Sequence, residues 1–294
     1  MVRLARQSPH DPVLRELDGF RLLDVRWSDK EQVVRAGERL LRGVVEVPGY
    51  PPTRIGMPFD PRDLDSPRWQ LLLPGLIVPR ILLDAYDATG RNEFLEQAQA
   101  VILALGKYER RTWLPRGLLW NDHAVANRLN VLAEFWRAYR GHPSYRPEIG
   151  KAILEQAARN GQLLAKPEHF TVATNHGVMQ NLALLHLSLA FPTIPEAARY
   201  KRLALDRLSD QMRFYIARML PGTRAQCLAP NAASPTVSET ATMPLSASSS
   251  ARYLKCSALA RRAVGTVRSE SSTSEQLGTT TTAATSGAPK NGLS

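Results

Sequence analysis

The sequence predicts an all-α fold, and three observations carry the prediction. Apolar residues recur at three and four positions along most of residues 30–216. Alternating β-branched runs, the mark of half-buried strands, are scarce there. Gly and Pro punctuate the helical stretches, as short turns between antiparallel helices require.

Lys30 to Arg42 is the first helix, with Val33, Val34, Leu40 and Leu41 inward. Residues 68–73 and 76–88 are helical pieces interrupted at Pro74 and Pro79 and ended by Gly90. Asn92 opens the next, where Phe94, Leu95, Ala98, Val101, Ile102 and Leu105 form the buried stripe and Gly106 is expected to stop it. Helices follow at about 120–140, 147–164, 175–190 and 195–215, with Gly141, Gly161 and the Pro192/Pro195 pair as punctuation. Such a succession of hairpins fits either a bundle or a curved array of helix pairs. No repeat of the tetratricopeptide or ankyrin kind is present, which disfavours a regular solenoid.

The chain of 294 residues, 44% of them hydrophobic, is large enough for a packed core. The longest apolar run, Leu71 to Val78, is broken by Pro74 and Gly75 and falls far short of the ~20 residues of a membrane helix, so no membrane insertion is expected. The basic start, Met1 to Arg6, is not followed by an apolar segment, so no secretory leader is read. Cys227 and Cys256 cannot build a disulfide framework, nor a zinc site by themselves. A net charge of +11 favours a polyanionic partner.

Composition changes abruptly near residue 216. Residues 1–216 hold 12 Ser and Thr, whereas the last 78 positions hold 24. Those 78 positions contain eight basic residues against Glu239, Glu270 and Glu275, and Tyr253 as their one aromatic. Too few large apolar side chains are present there to offset the entropy of ordering, so residues 217–294 are expected to be a disordered tail. It is either a native Ser/Thr-rich tail or out-of-frame translation beyond Ile216. The expected organisation is an N-terminal extension over 1–24, a helical domain over 25–216 and this tail.

Two helices carry polar residues that a bland core helix does not need. In the first, Val125, Leu129, Leu132 and Trp136 form the buried stripe, while Trp120, His123 and Asn127 form a second stripe with Arg128 on its flank. An indole beside amide, imidazole and guanidinium groups suits a sugar ring and its hydroxyls or carboxylate. The blander explanation is a solvated helix face anchored by Trp120. In the second, Val178, Leu182, Leu185 and Leu189 are the buried stripe, and Thr174 or Asn175 is the expected N-cap. That puts His176 in the first turn, where the positive end of the helix dipole favours the neutral imidazole a general base requires. Ordinary capping by Asn175 beside a half-buried His176 explains the same residues.

Other chemistry has little support. The sequence has no GxGxxG opening a helix, no phosphate loop, no GxSxG and no HExxH. His169 and His176 lie seven apart without a third ligand at metal spacing, so no metal and no cofactor are expected. Asp122 with Glu134 is the carboxylate pair a glycoside hydrolase would need. His142 and His186 are read as structural. Basic residues are scattered through residues 1–216 without a recognisable module, so no nucleic-acid partner is expected.

At the two polar helices the sequence resembles the heparinase II/III-type polysaccharide lyases, which include alginate and oligoalginate lyases. Three stretches carry the resemblance: Trp120-Asn121-Asp122-His123 through Arg128-Leu129, the Thr174-Asn175-His176-Gly177 helix start, and the Tyr200 to Ile216 helix. The resemblance implies an α/α toroid of helical hairpins, here incomplete, followed in the family by a β-sandwich. It implies β-elimination on a uronic-acid-containing polysaccharide without a metal or organic cofactor. Asn175 would bind the substrate carboxylate, His176 would be or assist the base, and a tyrosine would supply the acid. It also suggests a periplasmic or secreted setting. The family's acidic, glycine-containing segment with its tyrosine has no match after Ile216, and Tyr253 cannot be given that role, which favours a truncated or frame-disrupted lyase. A carbohydrate-binding remnant using Trp120, His123, Asn127 and Arg128, and a toroidal glycoside hydrolase, are the rival expectations.

Overall fold

The computed structural model describes residues 25, 27–172 and 174–219, with side chains as far as Ile216. The expected N-terminal extension, and the Ser/Thr-rich segment beyond residue 219 with Tyr253 and both cysteines, lie outside the described residues.

Helix α1 spans Lys30–Leu41 and is capped by the Asp29 carboxylate, which accepts from the Gln32 amide at 2.7 Å. A two-residue antiparallel ladder follows, β1 (Val44–Val45) on β2 (Thr53–Arg54), with Val44 opposite Arg54 and Val45 opposite Thr53. After a 3₁₀ turn at Pro61–Asp65 come α2 (Trp69–Leu72), α3 (Ile77–Thr89), α4 (Asn92–Arg111), α5 (Asp122–Tyr139), α6 (Pro147–Ala165), α7 (Asn175–Ala190) and α8 (Ala197–Met219). All-α is therefore the observed class, and the short ladder is the one strand pairing among the described residues.

Each helix packs on its hairpin partner: α3 on α4, α5 on α6, α7 on α8. Between hairpins, α3 meets α5 and α5 meets α7, while α4 meets α6 and α6 meets α8. The helices thus form two rows, which resolves the alternative that periodicity left open in favour of a hairpin array. Helices α5 and α7 sit within one row and are buried on most sides. Val125, Leu129, Leu132 and Trp136 are all in the core, as the sequence predicts.

Two expected helix stops are absent for a packing reason. Gly106 lies inside α4, where an added Cβ would come within 2.9 Å of Gln156 Oε1. Gly161 lies inside α6, where it would meet Leu187 Cδ2 at 2.4 Å. Both glycines permit close approach of neighbouring elements rather than ending a helix.

Buried ion pairs tie the rows together. Arg128 is fully buried on α5; its guanidinium donates to Pro74 O at 2.7 Å, Leu119 O at 2.7 Å, Asn160 Oδ1 at 2.9 Å and the buried Glu109 carboxylate. Arg80 on α3 pairs with Asp84 at 2.8 Å and with Glu134 on α5. The Pro74 bond fixes the break between α2 and α3, where Leu76 sits at φ +63°, a conformation a branched side chain adopts only under constraint.

Candidate functional site

The site grows from two helix starts that meet. At the first, Leu118 N–H donates to Gln70 O at 3.0 Å and Asn121 N–H to Leu118 O at 3.1 Å, which turns the chain into α5. Asn121 is the N-cap, its side chain accepting from the His123 amide at 3.0 Å. Asp122 and His123 therefore occupy the first turn. Trp120 precedes the helix, 37% exposed, with the Arg128 guanidinium carbon 5.9 Å from its ring centroid.

At the second start, Thr174 is the N-cap but makes no side-chain capping bond. Asn175 is the first helical residue, is exposed, and its amide has no hydrogen-bond partner among the described residues. Of the two residues offered as N-cap, Thr174 holds the position and Asn175 does not. The following Gly177 is required by the approach of the preceding loop. A Cβ there would lie 2.0 Å from Thr171 O and 2.5 Å from Gln211 Nε2. That loop is held from both sides, since Gln180 Nε2 donates to His169 O at 2.8 Å and Gln211 Nε2 to Val172 O at 3.1 Å. Asn181 anchors Gln211 in turn, at 2.9 Å.

The two starts meet at His176. Its Nδ1 lies 3.5 Å from Asp122 Oδ2, with 45% of the imidazole side chain and 17% of the carboxylate side chain exposed. Its ring centroid is 5.1 Å from that of His123. Burial, and then the neighbouring His176, hold the His123 imidazole below its ordinary value of 6.5, against the opposing pull of Asp122. Gln180 Nε2 donates to Asp122 Oδ2 at 2.7 Å, behind this pair.

Trp120, His123, Asn175 and His176 thus remain as accessible or half-buried groups, and His123 and His176 are in contact. Asn127 and Arg128 are corrections. Asn127 is buried against Gly75, and Arg128 is buried with Glu109, so neither faces solvent where a substrate would lie. The periodicity placed them beside Trp120, but α5 is covered on that side by the α2–α3 break and by α4 and α6. The Asp122–Glu134 carboxylate pair is also corrected. Twelve residues along one helix separate them by about 18 Å, beyond the roughly 5–10 Å of a glycosidase pair, and Glu134 is paired with Arg80.

His142 bridges Ser144 and Asn92, and His186 Nδ1 meets Asn130 Oδ1 at 3.0 Å. Among the described residues, no three His, Cys, Asp or Glu side chains converge on a metal position. Gln180 and Gln211 went unnoticed in the sequence. Their signal was a glutamine at i+4 from His176 and one in the helix that follows.

Comparison with solved structures decides the fold. Heparan sulfate lyase HepC from Pedobacter heparinus superposes with a TM-score of 0.55 at 15% identity, and a mutant of it with 0.55 at 16% identity. The chain shares the fold of a polysaccharide lyase. Each match covers 72% of this chain and 33% of HepC, so the chain spans about one third of the length of these neighbours. No protein-family model and no curated protein matches the sequence.

Proposed function

We propose that the meeting point of α5 and α7 binds a uronic-acid-containing glycan and takes part in its cleavage by β-elimination. The observation that carries this reading is the side-by-side exposure of the Asn175 amide, without a partner among the described residues, and a half-exposed His176 imidazole, with Asp122 behind the imidazole.

The chemistry asks for such a set. The C5 proton of a uronate is weakly acidic, and its removal leaves an electron pair that delocalises into the C6 carboxylate. The Asn175 amide donates to that carboxylate and stabilises the charge as it develops. His176 takes the proton on Nε2 while Nδ1 faces Asp122. The electron pair then forms the C4–C5 double bond, the C4–O4 bond breaks, and O4 takes a proton. The resemblance assigns that last proton to a tyrosine, for which the chain offers no matching motif. Trp120 supplies an apolar ring for the C–H face of a sugar. The chain's net charge of +11 attracts a polyanion.

The test is incubation with polyuronates and heparan sulfate, the polymer in the neighbours' name, while following the ultraviolet absorbance of the unsaturated product. A rise that disappears in Asn175→Ala and His176→Ala supports elimination at this site. A rise that survives His176→Ala overturns the assignment. A second reading, glycan binding without cleavage, is favoured by further exposed apolar groups on the same α4–α5 loop, Trp113 and Leu114. It predicts quenching of tryptophan fluorescence by oligouronates with no unsaturated product.

A further inference from the structure

Gln180 is an uncharged residue wholly inside the protein, yet every polar atom of its side chain is engaged. Nε2 donates to Asp122 Oδ2 at 2.7 Å and to His169 O at 2.8 Å, and Oε1 faces the Thr171 amide at 3.4 Å. These contacts fix the orientation of the amide. Turned over, its oxygen would face a carboxylate and a carbonyl, two acceptors, and its NH₂ would face a donor. The side chain can therefore only donate towards Asp122.

The carboxylate atom that receives this bond is the one facing His176. Asp122 Oδ2 is 2.7 Å from Gln180 Nε2 and 3.5 Å from His176 Nδ1. An oxygen held in this way on α5 presents an acceptor to Nδ1. The neutral imidazole then carries its proton on Nδ1 and leaves the Nε2 lone pair free. We infer that Gln180 is a positioning residue for the proposed elimination: it fixes Asp122 so that His176 is held as the Nδ1–H tautomer, with Nε2 ready to accept a proton. The polar link from Gln180 to His176 among the described residues runs through Asp122 Oδ2. The same amide holds His169 and Thr171, so one side chain links the loop entering α7, the first turn of α5 and the imidazole.

This inference rests on the elimination reading for its purpose, but its test does not use the glycan. The measurement is two-bond ¹H–¹⁵N correlation on protein labelled at histidine, at a pH where the imidazole is neutral, with His176 assigned by its loss in His176→Asn. The unsubstituted chain is expected to show protonated Nδ1 and unprotonated Nε2. Gln180→Leu, which keeps the volume and removes both donors, is expected to shift the majority of His176 to the Nε2–H form with the circular dichroism unchanged. Should Gln180→Leu fail to fold, Asp122→Ala, on the more open side of the contact, must produce the same shift. Asp122→Asn is expected to retain the Nδ1–H form, because Gln180 can donate only to the amide oxygen and turns that oxygen to the shared position. An Nε2–H form in the unsubstituted chain, or an Nδ1–H form surviving Gln180→Leu or Asp122→Ala, overturns the proposal. The expected tautomer in a chain that never attacks a glycan would refute elimination alone, and cleavage by a chain with the other tautomer would refute the role of Gln180 alone.

Discussion

Arg128 on α5 and His176 on α7 belong to two polar clusters, and they differ in what their groups touch. Around Arg128, every partner is protein: Pro74 and Leu119 carbonyls, Asn160 and Glu109, all away from solvent. Around His176, one edge of the imidazole faces Asp122 while much of the ring stays open, and the adjacent Asn175 amide has no protein partner among the described residues. The first cluster holds the α2–α3 break, α4, α5 and α6 together. The second is open to solvent on its outer side, as the glycan site proposed above requires. Polar residues of similar appearance in a sequence thus end up in a buried brace in one case and at the surface in the other.

The comparison predicts opposite responses to substitution. Arg128→Ala removes the nearer counter-charge of the buried Glu109, leaving it Arg159 at 3.6 Å, and strips Asn160 and the Pro74 and Leu119 carbonyls of their donor, so it should cost about 3 kcal/mol of stability. Urea denaturation measures it, and a loss below about 1 kcal/mol would mean that the brace is not one. Gly177→Ala comes next, because its Cβ has no room beside Thr171 O. A destabilisation of about 1–3 kcal/mol is expected, with displacement of the 169–172 loop visible as faster amide exchange there. Trp120→Ala and His176→Ala should change stability by only about 0.5 kcal/mol. They should nevertheless weaken oligouronate binding at least about tenfold, equivalent to roughly 1.4 kcal/mol. Equal effects on stability and binding in both clusters would erase the distinction.

A smaller effect is set by pH. His123 titrates below its ordinary value in the folded chain, so between that lowered value and about 6.5 the unfolded chain binds more protons. Its contribution to stability is therefore present above about pH 6.5 and declines as pH falls below it. Replacement by Gln should flatten the stability profile in that window, which thermal melts from pH 7.5 to 5 would show. At the opposite limit, burial and Glu196 push the Tyr200 hydroxyl up to about 12. Stability should accordingly fall as pH rises above 10, and Tyr200→Phe should remove that part of the decline.

The helices were legible because periodicity is strong wherever a helix has one buried face. Observed ends fall within a few residues of the expected ones, as at Lys30–Leu41 and Asn175–Ala190. Legibility failed where tertiary neighbours decide. Gly106 and Gly161 read as stops because a sequence does not reveal Gln156 or Leu187 lying against them. Asn127 and Arg128 read as surface because a stripe does not tell how many sides of α5 are covered. The Asn175-His176-Gly177 step stood out as a motif, whereas the reason for its glycine, the Thr171 carbonyl, belongs to the folded loop. The spacing of Gln180 from His176 can be read in the sequence, but its role cannot, because its partners come from two other segments.

The most direct test of the central claim isolates proton removal from bond cleavage. An oligouronate is incubated with the chain in deuterated water, and deuterium at C5 is read by mass spectrometry and proton NMR, alongside the absorbance of unsaturated product. An Asn175–His176 site that neutralises the carboxylate and removes the proton predicts deuterium entering C5, or unsaturated product, at a rate that collapses in both alanine variants. Neither signal from any uronate tested, or exchange undiminished in His176→Ala, would contradict it.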